Sequence, residues 1–313
     1  MPASPDGRSF ARWTDVRGFS LTGLRRSLYV WHMARSTVTK PDSDRPFAVI
    51  TGASRGIGAE YARALAARGY DLLLVARDEA ALRSLAETLM ANYGGVVETA
   101  VIDLAEPGAA QQLHLAAQSW RSHVDLLVNN AGFGFFGEFA RMSPAALEAM
   151  VRLHVLTVVE TIRLVLPHMI ARRSGGIVTV ASVAGFLPIP YMAVYAATKT
   201  FLIAFSQSLA EEVRPYGVNV QACCPGSTAT DFHSRAGSEP HDPIGLQLPS
   251  EVVRLSLSQL GSGQVVVPTG FIGRFVRLGR VLLPDRFWAR LTGWWIQRSL
   301  TGRSKPKQPS IRT

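Results

Sequence analysis

The fold is decided by the stretch Thr51-Gly52-Ala53-Ser54-Arg55-Gly56-Ile57-Gly58, which follows a short apolar run and opens a helical pattern. Its three glycines permit a tight turn and let a bound group approach the backbone closely. The free amide groups at the start of the following helix favour a negatively charged ligand at the same place. This order of strand, turn and helix predicts a parallel α/β sheet with a dinucleotide pyrophosphate site.

Apolar runs alternate with helical stretches along the rest of residues 47–270. Most of these runs are apolar throughout, which is typical of parallel strands covered on both faces. The predicted strands are Phe47–Thr51, Asp71–Ala76, Val96–Ile102, Val124–Val128, Gly176–Ala181, Val218–Cys223 and Gln264–Val267. The sequence therefore predicts the α/β class, with a single Rossmann-type, doubly wound parallel sheet of about seven strands.

Two further segments have a predicted structure. Ser143-Pro144 has the composition of a helix start, since serine caps the first turn and proline suits its first position. A long helix is expected from there toward Ala171. The stretch Ser227–Pro249 is rich in glycine, proline and histidine and directly follows a strand end, so we expect an irregular lid.

The net charge of +10 belongs to the two ends of the chain. Residues 1–46 carry a net +4 and residues 271–313 a net +9, which leaves −3 for residues 47–270. We divide the chain accordingly into a basic extension, a catalytic domain and a basic amphipathic tail. A nucleic-acid enzyme more often carries a basic face on its folded domain, so no nucleic-acid partner is expected. Basic ends on a slightly acidic body fit contact with an anionic membrane.

The tail consists of two amphipathic stretches, Phe271–Leu283 and the residues after Pro284. Arginines alternate there with aromatic and aliphatic residues on opposed arcs, as in a helix that lies in a membrane interface. The alternative is that these helices pack on the body, over a substrate cleft or a dimer seam, and both can hold. Either arrangement favours an apolar substrate.

The expected compartment is the cytoplasm, with peripheral contact at the inner face of a membrane through residues 271–300. No run reaches the ~18 apolar residues of a membrane span, and no secretory signal is recognisable. Cys223 and Cys224 are adjacent and give no disulfide framework, which suits a reducing compartment.

Tyr195 and Lys199 are four residues apart, a spacing that places both side chains on one face of a helix. Lys199 is the only lysine between Lys40 and Lys305 in a chain that otherwise uses arginine. A cation beside a phenol favours the phenolate, so we expect a lowered Tyr195 pKa. Such a tyrosine is a usable general acid or base near neutral pH.

With Ser182 placed 13 residues before Tyr195, this Tyr-x-x-x-Lys segment and the glycine spacing quoted above resemble the short-chain dehydrogenase/reductase family. The resemblance covers about residues 47–270. It implies that Tyr195 donates a proton to a carbonyl oxygen as hydride arrives from a nicotinamide. It also implies that Lys199 holds the ribose hydroxyls and that Ser182 donates a hydrogen bond to the substrate oxygen.

Other motifs of the family stand at predicted strand ends, where open α/β sheets bind ligands. An aspartate after the third strand contacts adenine in the family, although it could equally serve as a helix entry here. The family's Asn-Asn-Ala-Gly and Pro-Gly motifs follow the fourth and sixth strands. The cofactor-binding candidates are Gly52, Ser54, Arg55, Gly56, Ile57, Gly58, Arg77, Asp103, Leu104, Asn130, Ala131, Gly132, Tyr195, Lys199, Pro225, Gly226, Thr228 and Thr230.

The nicotinamide cofactor is expected to be NADP(H). An acid after the second strand binds the ribose of NAD, while an arginine accommodates the 2′-phosphate of NADP. Arg77 stands at that strand end and Arg55 lies in the glycine-rich turn. Asp78 follows Arg77, but it is placed to begin the next helix. No histidine or cysteine spacing indicates a metal.

His154 is a departure from the family, whose members usually have an asparagine at this position of the long helix. That asparagine helps to hold a water that connects the lysine to solvent. Histidine can also hold a water through a ring nitrogen, and it titrates near neutral pH. We therefore count His154 as a catalytic candidate beside Ser182, Tyr195 and Lys199, with a packing histidine as the alternative.

These features predict an NADP(H)-dependent oxidoreductase that interconverts a carbonyl and a secondary alcohol on an apolar substrate. Within the family, the chain resembles the branch with very-long-chain 3-oxoacyl-CoA reductases and hydroxysteroid dehydrogenases, which implies an acyl, lipid-like or steroid-like substrate. A homodimer or homotetramer is expected. The alternative function is a non-catalytic, membrane-associated NADP(H)-binding sensor or scaffold.

Overall fold

The central element of the protein is a single parallel sheet. A computed structural model describes residues 44–232, 236 and 246–301. The strands are β1 Phe47–Thr51, β2 Asp71–Ala76, β3 Val97–Val101, β4 Leu126–Asn129, β5 Gly175–Val180, β6 Val218–Cys224 and β7 Val266–Pro268. They lie in the order β3-β2-β1-β4-β5-β6-β7, and every pair is parallel. The predicted fold class is confirmed.

Helices cover both faces of this sheet. The α-helices are α1 Gly56–Ala66, α2 Glu79–Tyr93, α3 Ala109–Trp120, α4 Pro144–Val151, α5 Thr157–Arg172, α6 Ala193–Val213, α7 Pro249–Gln259, α8 Gly270–Leu282 and α9 Asp285–Thr301. One buried cluster joins the sheet to α3, α5 and α6, and a second joins it to α1, α2 and α7. This two-sided burial explains why β1 and β2 are buried at every position.

The strand order creates the place where a ligand can bind. β1 lies at the middle of the sheet between β2 and β4, because the chain builds one half outward to β3 and then crosses to the other side. The loops after β1 and β4 therefore leave the sheet in opposite directions. In open α/β sheets, such a switch point opens a crevice at the carboxyl ends of the strands.

Two helical features differ from the prediction. The expected continuous helix from Pro144 is broken by the five-residue π-helical turn Arg152–Leu156, which separates α4 from α5. Such turns are rare, and they are frequent at functional sites. Helix α7 was not predicted, and it lies between the expected lid and the last strand.

The expected lid is described only at residues 227–232, 236 and 246–249, so His233 and His241, which the sequence places in it, lie outside the described residues. The Thr228 and Gln247 positions form a parallel bridge, and the Gln247 amide donates to the Ser227 carbonyl oxygen at 2.9 Å. The two ends of the segment are therefore held together directly after β6.

The tail forms two helices, α8 and α9, which pack on the body. Trp288 and Ile296 are buried, and a Cβ on Gly293 would lie 3.1 Å from Pro190. A Cβ on Gly273 would lie 2.9 Å from the Val183 side chain. Among the residues that the structure describes, no helix combines the length and apolar character needed to cross a bilayer.

Candidate active site

The glycine-rich turn has a geometry that only glycine permits. Gly52 and Gly56 have φ values of +64° and +56°, in the left-handed region that side chains disfavour. A Cβ on Gly58 would lie 2.2 Å from the carbonyl oxygen of Gly52, so α1 packs directly on the turn. The backbone at the start of α1 is thereby left open toward the crevice.

Hydrogen bonds tie this turn to the end of β4. The Asn130 side-chain amide donates to the carbonyl oxygens of Thr51 and Gly52 at 3.0 and 3.1 Å. In return, the Thr51 hydroxyl oxygen accepts from the backbone amides of Asn130 and Ala131 at 2.9 and 3.1 Å. The asparagine expected to line the cofactor site thus also shapes the turn.

Two arginine–carboxylate pairs lie at the end of β2. Arg55 contacts Asp78 at 2.7 Å and Arg77 contacts Asp103 at 3.2 Å. Asp78 also accepts from the Ala81 amide at 3.1 Å, so it caps α2 as the sequence predicts. These pairs are solvent-exposed and hence weak, so both arginines can turn toward a phosphate.

Asp103 was expected either to contact adenine or to begin a helix, and the structure shows the second role. Its second carboxylate oxygen accepts from the Ala105 amide at 3.0 Å, which fixes the turn before α3. The same side chain also borders the crevice. A contact with adenine therefore stays a prediction.

The catalytic candidates converge at the start of α6. Tyr195 and Lys199 are both buried, and the lysine Nζ lies 5.6 Å from the centroid of the tyrosine ring. Nζ donates to the carbonyl oxygen of Val180 at 2.8 Å, at the end of β5. Ser182 follows that strand and lies close enough to the Tyr195 hydroxyl to oppose the rise of its pKa. Its own hydroxyl oxygen accepts from the Ala184 amide at 3.1 Å. The predicted Ser–Tyr–Lys set is thus brought together by β5 and α6.

Burial dominates the electrostatics of this set. It raises the pKa of Tyr195 to about 12, against the opposing effect of the Ser182 hydrogen bond. It lowers the pKa of Lys199 to about 8. The expected lowering of the Tyr195 pKa is therefore wrong for the protein alone, because the cost of burying a phenolate is larger than the stabilisation it receives.

His154 is buried in the π-helical turn and bridges two elements of the site. Its Nε2 accepts from the backbone amide of Phe133 at 3.1 Å, and its Nδ1 lies 3.0 Å from the Thr198 hydroxyl. That hydroxyl donates to the carbonyl oxygen of Tyr195 at 2.8 Å. The network therefore assigns a neutral imidazole whose Nδ1–H donates to Thr198.

This arrangement bears on the role of the histidine. Burial, with the nearby Lys199 charge, holds the pKa of His154 well below its usual value. Both ring nitrogens already have protein partners, so neither is left to hold a water. The geometry favours the packing alternative over the proton relay that the sequence suggested.

A cleft of about 1270 Å³ contains nearly all of the predicted site. Of the candidates, Gly58 and His154 do not line it and lie behind its wall. The predicted residues that line it are Gly52, Ser54, Arg55, Gly56, Ile57, Arg77, Asp103, Leu104, Asn130, Ala131, Gly132, Ser182, Tyr195, Lys199, Pro225, Gly226, Thr228 and Thr230.

Sequence reasoning missed the apolar end of the cleft. The ring of Phe232 lies 5.5 Å from that of Tyr195, centroid to centroid. Other residues at this end are Phe133, Phe136, Leu187, Ile189, Met192, Val276 and Ile296. The Phe-Gly-Phe-Phe run directly after the Asn-Asn-Ala-Gly motif was the available signal. An ion pair of Glu148 and Arg152, 3.0 Å apart, also borders the cleft and was not predicted.

The cleft thus joins the glycine-rich turn to the buried Tyr195 and Lys199 and the half-buried Ser182. Residues 46–240 match the family model described as short chain dehydrogenase. The chain therefore belongs to the short-chain dehydrogenase/reductase family.

Three similar proteins refine this placement. A very-long-chain 3-oxoacyl-CoA reductase of Phaeosphaeria nodorum is 35% identical over 220 residues, which are 69% of this chain and 63% of that protein. The chain thus matches less than two thirds of that relative's length. A short-chain dehydrogenase from Sphingobium yanoikuyae, solved with NADPH, is 30% identical with a TM-score of 0.70, covering 86% of this chain and 100% of that one. The L-sorbose reductase of Gluconobacter frateurii, solved with NADPH and L-sorbose, is 27% identical with a TM-score of 0.66. The match covers 72% of this chain and 95% of that one.

Substitution of Gly58 by alanine should weaken nucleotide binding while the sheet still forms. The added methyl would meet the Gly52 carbonyl oxygen at 2.2 Å and push α1 away from the turn. We expect at least a tenfold loss of NADPH affinity and about 1–3 kcal/mol of lost stability from overpacking, measured by fluorescence titration and denaturant unfolding. Gly69→Ala is the control for affinity, since nothing lies within 4 Å of the added Cβ and NADPH binding should stay unchanged, although the φ of +81° strains an alanine and costs stability there as well. Unchanged NADPH affinity in Gly58→Ala would contradict the packing argument.

Stability should depend on pH through His154. Its folded pKa lies below the ordinary 6.5, so the unfolded chain takes up a proton that the folded protein refuses. The free energy of unfolding should therefore fall as pH drops below about 6.5, by at most about 1.4 kcal/mol per pH unit. His154→Asn should flatten this slope, and the exposed His168→Asn should keep it. Equal slopes in all three proteins would show that His154 is not held as a neutral imidazole between Phe133 and Thr198. Full turnover of His154→Ala at every pH would exclude a proton relay through this residue.

Proposed function

We propose that the protein is an NADP(H)-dependent reductase that interconverts a carbonyl and a secondary alcohol on an apolar, acyl-, lipid- or steroid-like substrate. The observation that carries this proposal is the position of Tyr195 in the cleft. On one side of it lie the glycine-rich turn and its arginines, and on the other lies an aromatic and aliphatic wall. The site thus offers a polar end for a dinucleotide and an apolar end for a substrate.

The preference for NADP(H) is supported by the residues at the polar end. Arg55 and Arg77 both border the cleft, while Asp78 is engaged as the cap of α2. The open backbone at the start of α1 suits a pyrophosphate. Two structural neighbours were solved with NADPH. When bound, the nicotinamide would supply or accept the hydride.

The residues of the chain would handle the proton and the developing negative charge. With a pKa near 12, Tyr195 is a protonated phenol at neutral pH, which is the form that donates to a carbonyl oxygen. Ser182 would donate a second hydrogen bond to the same oxygen and stabilise it as charge develops. Lys199 is fixed by Val180 beneath the ring, where its charge lowers the cost of an anionic tyrosine.

The apolar substrate class is supported by what surrounds the tyrosine. Tyr195 belongs to a buried cluster with Met150, Met192 and Ile296, against which Phe133 and Phe232 pack. Such a wall excludes water and has few groups that would hydrogen-bond a polar substrate. The Phaeosphaeria nodorum relative is described as a very-long-chain 3-oxoacyl-CoA reductase. Acyl chains of that kind fit the chemistry of the wall.

Arg77→Asp should weaken NADPH much more than NADH. An aspartate at the end of β2 would repel the 2′-phosphate and favour a free 2′-hydroxyl. We expect the NADPH KM to rise at least tenfold, about 1.4 kcal/mol, with a smaller change for NADH. Arg83→Asp is the control, because Arg83 pairs with Glu79 on the exposed surface of α2. Equal changes of KM for NADPH and NADH would show that Arg77 does not contact the 2′-phosphate.

NADPH oxidation measured with 3-oxoacyl thioesters, ketosteroids and small polar ketoses tests the function itself. We expect turnover on the apolar classes and at least a hundredfold less on the polar one. Lys199→Arg and Tyr195→Phe should lose most turnover while binding NADPH, since a guanidinium cannot occupy the ammonium site and Phe lacks the proton. NADPH binding by the wild type without turnover on any class would favour the sensor or scaffold alternative.

A further inference from the structure

Exposed apolar side chains are concentrated on the tail helices. Seven of the 18 large apolar residues found exposed in the described part of the chain lie between residues 275 and 294. Six of them form what we call the outer face: Phe275, Leu278 and Leu282 on α8, and Phe287, Leu291 and Trp294 on α9. Leu282 is 74% exposed and Leu278 is 64% exposed, so the body of the protein does not cover this face.

The outer face belongs to helices that are also anchored. On each helix its members recur at intervals of three, four or seven residues, which places them on one side. The other side carries the buried Trp288 and Ile296 on α9 and the tight contact of Gly273 with Val183 on α8. Trp288 also packs against Gly279, so the two helices hold each other. The two helices are therefore packed against each other and against the body while their outer face stays exposed.

Charge identifies what should cover this face. Arg286, Arg290 and Arg298 are exposed on α9, and the Arg298 guanidinium stacks on the Trp294 ring at 4.9 Å. Residues 271–313 have ten lysines and arginines and one aspartate, Asp285. A second copy would bring an equal positive charge against this one, whereas an anionic lipid surface is complementary to it. Arginine and tryptophan beside aliphatic residues suit the boundary between headgroups and acyl chains.

The same helices form part of the cleft. Val276 of α8 and both Thr292 and Ile296 of α9 line it from the inner side. A surface that held the outer face would therefore hold two helices that also form part of the cleft wall. The pair of helices lies between the apolar end of the active site and whatever the outer face contacts.

We propose that the outer face docks on an anionic lipid bilayer and presents the cleft mouth to the membrane, so that an apolar substrate enters from the lipid. The docking stands on exposure and charge alone, while substrate entry from the lipid rests on the proposed function.

Co-sedimentation of the full chain with phosphatidylcholine vesicles, with and without phosphatidylglycerol, tests the docking. We expect at least tenfold stronger binding to the anionic vesicles. The triple variant Leu278→Gln, Leu282→Gln and Trp294→Gln should bind the anionic vesicles at least tenfold more weakly than the wild type. A matched control makes the same change at three exposed apolar residues on other elements, Met90, Val101 and Leu115, and should bind as the wild type does.

Circular dichroism and turnover on a short, water-soluble ketone should be the same for the three proteins, since none of the substituted residues lines the cleft. With a substrate carried in the vesicles, turnover should fall only in the outer-face variant. Vesicle binding by a protein that reduces nothing would leave the docking intact and overturn the proposed function.

Three results would overturn the docking. The wild type could fail to bind either vesicle, or the outer-face variant could bind as tightly as the control. Light scattering could instead show that the wild type self-associates and the outer-face variant does not, in which case a second copy covers the face.

Discussion

The site depends on the hydrogen bonds that join the ends of β1 and β4. The Thr51 hydroxyl and the Asn130 amide exchange bonds across this junction, and together they fix the glycine-rich turn against the Asn-Asn-Ala-Gly loop. That loop continues to Phe133, whose amide donates to His154, and from there through Thr198 to the backbone of Tyr195. Hydrogen bonds and the short backbone segment between Asn130 and Phe133 thus connect the glycine-rich turn to Tyr195 and fix their relative position.

Burial then decides which protonation states this framework can hold. Water is excluded from the three titratable groups nearest the reaction, so each is pushed toward its neutral form: Tyr195 toward the phenol, His154 toward the imidazole and Lys199 toward the amine. Lys199 has a pKa near 8 and stays mostly charged at neutral pH, so it is the cation of the site. A phenol beside that cation is ready to lose a proton to a substrate oxygen, although it does not ionise on its own.

The sheet and the Ser182, Tyr195 and Lys199 set were predictable because each depends on local pattern or fixed spacing. Strand edges moved by one or two residues, since apolar runs do not mark where pairing begins. The π-helical turn around His154 was not predicted, because most of the residues around it are apolar and a shift in the phase of the apolar pattern is not visible there. The predicted lowering of the Tyr195 pKa was wrong, because the spacing of the residues reveals a neighbouring cation but not how deeply both groups are buried. The wall formed by Phe232 and the tail required the three-dimensional fold.

The tail shows why the composition alone could not distinguish membrane contact from packing on the body. Membrane contact and packing on the body were alternatives in the sequence because one helix can present different residues to each. The fold makes them compatible: Trp288 and Ile296 face inward, while Leu278 and Trp294 face outward. An exposed apolar face of this extent is typical of a surface that contacts a partner. Since the inner side of the same helices lines the cleft, the proposed docking would place a bilayer one helix pair away from the apolar end that holds Tyr195.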